Sequence, residues 1–171
     1  MSKLILFSGL PGTGKSSLAV ALAKQTRAIY LDVASINASL TQNLQSQEVD
    51  QDAAYCAAQA VAETNLKLRR SVIIDAINPT ARFHDMWAHS AKRSNSSLFW
   101  VTLTCSDFAM HRDRIAARNT PPIWPDVQRH PFDPHPRPQL NLDTAKLTQD
   151  ACLMRIMKAL KDYDRKLLKG M

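Results

Sequence analysis

Apolar and polar positions alternate along this chain in blocks. Leu4-Ile5-Leu6-Phe7 is a continuous apolar run, the pattern of a strand covered on both faces. Ala28-Ile29-Tyr30-Leu31 repeats the pattern and ends at Asp32, and Val72-Ile73-Ile74 ends at Asp75. Leu98 to Leu103 reads as a fourth strand, and Leu140-Asn141-Leu142 as a short last one. The segments between them read as helices. Ser16 to about Gln25 is rich in Ala and Leu, both strong helix formers. Residues 34–44 carry only a weak period, whereas Asp52 to Arg69 is a clearer, alanine-rich helix. Pro79, read as a first-turn residue, opens a helix to about Arg93. Ser106 or Asp107 caps another that runs to about Arg118. Leu153, Ile156, Met157 and Leu160 fall at i, i+3, i+4 and i+7, the apolar stripe of a final amphipathic helix.

Strands alternating with helices predict an α/β fold: three layers, with a parallel sheet between helices. Ligands of such sheets sit at the carboxyl ends of the strands. Asp32, Asp75 and the turn after the first strand are therefore expected to converge.

A length of 171 residues fits a single domain over 1–171. About 70% of the unfolded surface is buried at this size, so a core forms without disulfides or metals. No apolar run approaches the roughly 18 residues of a membrane span, and the N-terminal run is too short for a signal peptide. Cys56, Cys105 and Cys152 form no CxxC pair, which argues against a disulfide scaffold or a zinc site and points to the cytoplasm. The net charge of +7 favours anionic ligands, or serves only solubility.

Glycine sharpens this picture. The chain has 4 glycines, and Gly9, Gly12 and Gly14 stand together after the first strand. Gly9-Leu10-Pro11-Gly12-Thr13-Gly14-Lys15-Ser16 matches GxxxxGK(S/T), between a buried strand and a helix as that motif requires. The glycines let successive N–H groups turn inward onto phosphate oxygens, and the helix N-terminus adds partial positive charge. Lys15 reaches the β- and γ-phosphates, and the Ser16 hydroxyl ligates Mg²⁺. Gly9, Gly12, Thr13, Gly14, Lys15, Ser16 and Ser17 are thus the candidate residues for ATP. The dinucleotide pattern GxGxxG is not completed. An NKxD base reader and an LSGGQ-like segment are also absent, which disfavours a GTPase and a transporter ATPase. The chain is short for a RecA-like motor, and a small kinase fits best.

Proline marks a second region, with seven of the 9 prolines between Pro121 and Pro138. Residues 119–139 are expected to form a lid without regular elements. Trp124, Val127 and Phe132 give it something to pack with, and Arg112, Arg114, Arg118, Arg129 and Arg137 lie in or before it. A closing arginine-rich loop excludes water and stabilises a transferring phosphoryl group; a stiff surface loop with solvated arginines is the alternative. Asp75 reads as a Mg²⁺-supporting acid and Asp32 as a proton acceptor, each alternatively a turn or helix cap. Glu48, Asp50 and Asp52 read as helix-start electrostatics. Of the histidines, only His130 and His135 fall in the lid.

Taken together, GLPGTGKSS, Ile74-Asp75-Ala76 with Asn78 and Arg82, His111-Arg112-x-Arg114 with Arg118, Trp124-x-x-Val127-x-Arg129, and Phe132-Asp133-Pro134 leading to Leu142-Asp143-Thr144 resemble the small P-loop kinases. These are similar to polynucleotide 5′-kinase domains, chloramphenicol phosphotransferase and zeta toxins. The resemblance runs from Leu4 to about Leu160. It implies ATP- and Mg²⁺-dependent transfer to a hydroxyl of a small molecule. It also implies phosphate contacts from Arg114, Arg118 and Arg129, and adenine packing near Asp143 and Thr144. One departure stands out. The family commonly carries D-x-D-x-I, whereas this chain has Asp32-Val33-Ala34-Ser35-Ile36, with alanine in place of the second acid. Two alternatives therefore stay open. One is a nucleotide-binding sensor with little turnover. The other is a 5′-hydroxyl nucleic-acid kinase, suggested by the basic tail (Lys158, Lys161, Arg165, Lys166, Lys169) but disfavoured by an aromatic content of 6%.

Overall fold

Five strands, all parallel, form one sheet: β1 (Lys3–Ser8), β2 (Ile29–Asp32), β3 (Val72–Asp75), β4 (Ser97–Thr104) and β5 (Leu140–Asp143), in the order β2-β3-β1-β4-β5. The computed structural model describes residues 1–43, 51–118 and 121–169. Its helices are α1 (Lys15–Thr26), α2 (Val33–Asn43), α3 (Gln51–Lys67), α4 (Ala81–Arg93), α5 (Phe108–Ala116), α6 (Trp124–Arg129) and α7 (Gln149–Lys169).

Strand parity sorts the core into two layers, because successive side chains point to opposite faces. Leu4, Leu6, Val72, Ile74 and Trp100 pack with Ala58, Ala62 and Leu66 of α3 and Trp87 of α4. Ile5, Phe7, Ile73, Phe99 and Val101 pack with Leu18 and Leu22 of α1 and Leu153, Ile156 and Leu160 of α7. The fold is the expected three-layer α/β arrangement. The amphipathic stripe read in the tail is the buried face of α7.

Asp107 caps α5 as read: its Oδ1 accepts from the Met110 N–H at 2.9 Å. Pro79 is not in the first turn of α4. The N-cap is Thr80, and the Pro79 carbonyl instead accepts from the Asp133 N–H at 2.8 Å. The region expected to lack regular elements contains α6, which Pro125 starts favourably in its first turn. Residues 119 and 120 of that region, and Glu48 and Asp50 of the acidic cluster, lie outside the described residues.

The proline-rich stretch is also well attached. Val127 is buried. Trp124 packs edge-on against Phe108 and His111 of α5, at 4.9 and 5.0 Å between ring centroids. Further along, His135 stacks on Trp100 at 4.6 Å, and Gln139 Oε1 accepts from the Trp100 N–H at 2.5 Å.

Candidate active site

The register of the sheet brings the predicted residues to one edge. Phe7 of β1 pairs with Asp75 of β3, and Asp75 pairs with Asp32 of β2. The phosphate loop leaves β1 at this edge and runs straight into α1. Gly14 caps α1 in the left-handed region, at φ 87°. Gly12, at φ 82°, sits so close to α5 that a Cβ would lie 2.8 Å from Ile115 Cδ1 and 3.0 Å from His111 Cδ2. The motif glycine is required here by backbone angle and by packing together.

A cleft of about 890 Å³ opens over this edge. Gly12, Gly14, Lys15, Ser16, Ser17, Asp32, Asp75, Arg114, Arg118 and Thr144 line it. Gly9 and Thr13 are not on its surface; they build the base of the loop. The Gly9 N–H donates to the Ile77 carbonyl at 3.3 Å, and the Thr13 hydroxyl to the Leu10 carbonyl at 2.8 Å.

Lys15 is buried and its Nζ donates to the Leu10 carbonyl at 3.0 Å. Burial pulls its pKa down to about 8, and Arg118 pushes the same way; the carboxylates of Asp75 and Asp32 oppose them. A cation held in this desolvated state is strongly responsive to an incoming anion.

Asp75 is only 3% exposed, and its Oδ2 accepts from the Tyr30 hydroxyl at 2.9 Å. Burial, then the Asp75 charge, raises the Tyr30 pKa, so the phenol stays a donor. Ser16 has a smaller, opposing influence on the same phenol. Tyr30 is thus tied to Asp75, one of the two predicted metal-supporting residues. The sequence reading missed it, and the signal lay in register: Tyr30 pairs with Ile73, which places Asp75 two residues along on the same face.

Asp32 is the N-cap of α2. Its Oδ1 accepts from the Ala34 N–H at 3.0 Å and its Oδ2 from the Ser35 hydroxyl at 2.5 Å. The capping alternative is therefore realised in geometry, while the residue still faces the cleft.

The arginines divide. Arg114 donates through Nη1 to Thr144 Oγ1 at 2.8 Å and through Nη2 to the Thr144 carbonyl at 3.0 Å. The Thr144 hydroxyl also donates to the Thr13 carbonyl at 3.0 Å, so Arg114 braces the phosphate loop from behind. Arg118 is exposed in the cleft, and none of the described residues accepts from its guanidinium. Arg129 is not among the cleft residues; it folds onto its own helix, donating to the Pro125 carbonyl at 3.2 Å and to Asp126. Thr144 reaches the cleft and Asp143 does not. The Asp143 carboxylate receives the Ser106 hydroxyl and the Ser106 and Ala145 N–H groups, and these hydrogen bonds, those from Ser106 foremost, hold its pKa down at about 2.

Asn78 is another residue whose role only the fold displays. It sits at φ 52° and is fully buried. Its Nδ2 donates to the Phe7 carbonyl at 3.2 Å, its Oδ1 accepts from Trp87 Nε1 at 2.9 Å, and its N–H donates to the Tyr55 hydroxyl at 3.1 Å. It thereby fixes the loop after β3 against the strand that carries the phosphate loop.

A family model described as "AAA domain" matches residues 4–133 of the chain. No curated protein matches it. Among solved structures, a candidate kinase from Chloroflexus aurantiacus is similar, with a TM-score of 0.76 and 19% identity over 94% of this chain and 97% of that one. The APS kinase of Mycobacterium tuberculosis, in complex with AMPPNP and APS, gives a TM-score of 0.73 and 19% identity over 94% and 98%. A gluconokinase from Sinorhizobium meliloti gives 0.70 and 15% over 98% and 97%. At these identities the likeness is one of fold.

Proposed function

This chain belongs to the AAA-domain family whose model spans residues 4–133, and we propose that it is a P-loop phosphotransferase moving a phosphoryl group from ATP to the hydroxyl of a small molecule. The observation that carries the reading is the convergence of Lys15, Ser16, Asp75 and Arg118 on one cleft. The kinase-like fold of its structural neighbours supports it.

The donor set suits Mg·ATP. Gly12 and Gly14 give the loop the left-handed backbone that turns its N–H groups toward a phosphate, and Lys15 supplies a desolvated cation. Ser16 and Asp75 offer hard oxygen ligands, the kind Mg²⁺ takes. Among the described residues no group of three or more His, Cys, Asp or Glu could hold a metal. That accords with an ion held by one or two protein oxygens together with substrate phosphates. The bound ion would neutralise charge on the phosphates.

The chain's own residues do the rest by positioning. The loop amides and the α1 N-terminus hold the phosphates. Lys15 leaves the Leu10 carbonyl for phosphate oxygens, and Tyr30 holds the Asp75 carboxylate in one orientation. Arg118 offers its exposed guanidinium to the phosphoryl group in flight. The acceptor oxygen bonds to phosphorus as the bond to the leaving diphosphate breaks, and the hydroxyl proton leaves toward Asp32 or water. The deciding experiment incubates the protein with Mg·ATP and hydroxylated acceptors and follows ADP and phosphorylated product. Wild-type transfer that Lys15→Met abolishes supports the reading; no binding of Mg-nucleotide at all would overturn it.

A second reading, a nucleotide sensor with little turnover, draws on one observation. Ala34 lines the cleft, and both oxygens of Asp32 are engaged in capping. It predicts tight nucleotide binding without transfer, and no gain from Ala34→Asp.

A further inference from the structure

The cleft has two chemically different ends. Its Lys and Arg residues, Lys15, Arg114 and Arg118, belong to the phosphate loop, to α5 and to the turn that follows α5. On the β2 and β3 side the lining is Ala34, Asn37, Ala54, Tyr55, Ala76 and Phe83. Tyr55 and Phe83 form an aromatic wall, with ring centroids 3.9 Å apart and planes inclined by 32°. Tyr55 is anchored by the Asn78 N–H, and burial lifts its pKa to about 12, so it presents a neutral ring. Among the described residues, the charged groups lining this end are the carboxylates of Asp32 and Asp75, both within electrostatic reach of Lys15. Arg82 lies 5.9 Å from the Phe83 centroid, is not part of the lining, and is engaged with Asp52. Segments 44–50 (LQSQEVD) and 119–120 (NT) contain no Lys or Arg, so no cation comes from them. Asn37 lines the cleft, and its Oδ1 is buried without a hydrogen-bond partner among the described residues.

From this asymmetry we infer the class of molecule that accepts the phosphoryl group: a hydroxylated compound with a planar, largely apolar body, neutral or cationic, bearing no phosphate, sulfate or carboxylate. The inference rests on the phosphotransferase reading above. An anion placed here meets the Asp32 carboxylate, and none of the described Lys or Arg residues stands on this wall beside it, an arrangement that burial penalises. A planar ring gains offset contact with Tyr55 and Phe83, and a hydroxyl or amine donor satisfies Asn37.

The test uses matched probes: 4-nitrobenzyl alcohol against 4-(hydroxymethyl)benzoate, and adenosine against adenosine 5′-phosphate. Saturation-transfer NMR on protein loaded with Mg·AMPPNP reads acceptor binding independently of turnover. Blocking the nucleotide site with Mg·AMPPNP keeps adenosine and its phosphate from reporting on it. The neutral member of each pair binds at least about tenfold tighter, and Phe83→Ala removes that advantage. Asn37→Arg, at the cleft surface, raises the affinity of the anionic members by about tenfold. The inference is overturned if an anionic member binds as well as its neutral partner, or if neither member of either pair binds the loaded protein. Failure of Mg·AMPPNP itself to bind, read first by calorimetry, overturns the parent reading and this one with it.

Discussion

His111 and Trp124 join the phosphate loop to the proline-rich segment. The His111 Nε2–H donates to the Pro11 carbonyl at 2.6 Å, and the Trp124 ring packs edge-on against the same imidazole at 5.0 Å. His111 is itself buried. A change in the loop therefore reaches α6 through one rigid ring.

Nucleotide binding is accordingly expected to change tryptophan emission. Trp87 and Trp100 are buried in the core, whereas Trp124 is half-buried beside the loop. Adding Mg·ATP shifts the emission of the wild type, and Trp124→Phe loses the shift while still binding nucleotide. A shift that persists unchanged in Trp124→Phe contradicts the coupling.

Lys15 sets a pH dependence. In the free protein its pKa is lowered to about 8, with burial as the leading cause. A bound polyphosphate favours the charged form and raises that pKa, so binding takes up a proton above pH 8. Affinity is level below about 8 and falls by up to about tenfold per pH unit above it. Calorimetry from pH 7 to 9.5 in buffers of different ionisation heat reads both effects. Affinity that stays flat throughout would rule this out.

Tyr30→Phe removes the hydroxyl that steadies Asp75 and keeps the ring. Stability falls by about 1 kcal/mol, the usual net worth of one such bond. The Mg²⁺ concentration for half-maximal activity rises, with little change in the KM for the acceptor. An unaltered Mg²⁺ requirement would limit Tyr30 to packing.

The two cleft arginines separate by role. Arg114→Lys loses the paired bonds to Thr144 and lowers the melting temperature, by roughly 1–2 kcal/mol of stability. Arg118→Ala leaves stability within about 0.5 kcal/mol and lowers kcat by roughly 100-fold. Thermal melts beside steady-state kinetics distinguish them, and the opposite pattern would reverse the assignments.

Asp32→Asn tests whether the residue does more than cap α2. Asn caps as well as Asp, so the helix is retained. If Asp32 accepts the acceptor's proton, kcat falls by about 10²- to 10⁴-fold. Unchanged kcat would leave Asp32 as a cap alone.

The first strand, the phosphate loop and α1 were legible in residues 4–25, because each depends on local causes. Continuous burial selects apolar residues in β1, and left-handed backbone at the loop selects glycine. The layering was legible for a related reason: continuous apolar strands require cover on both faces. The rest turned on which strands lie side by side and in what register. Tyr30 meets Asp75 only because β2 pairs with β3. Arg114 meets Thr144 across thirty residues of chain that include α6. Arg129 had the right charge in the right segment, yet its helix turns it onto Pro125 and Asp126. Side-chain type and spacing determined which chemistry this chain carries. Contacts between residues far apart in sequence decided which of those side chains face the cleft, because their geometry is fixed only once the sheet has closed.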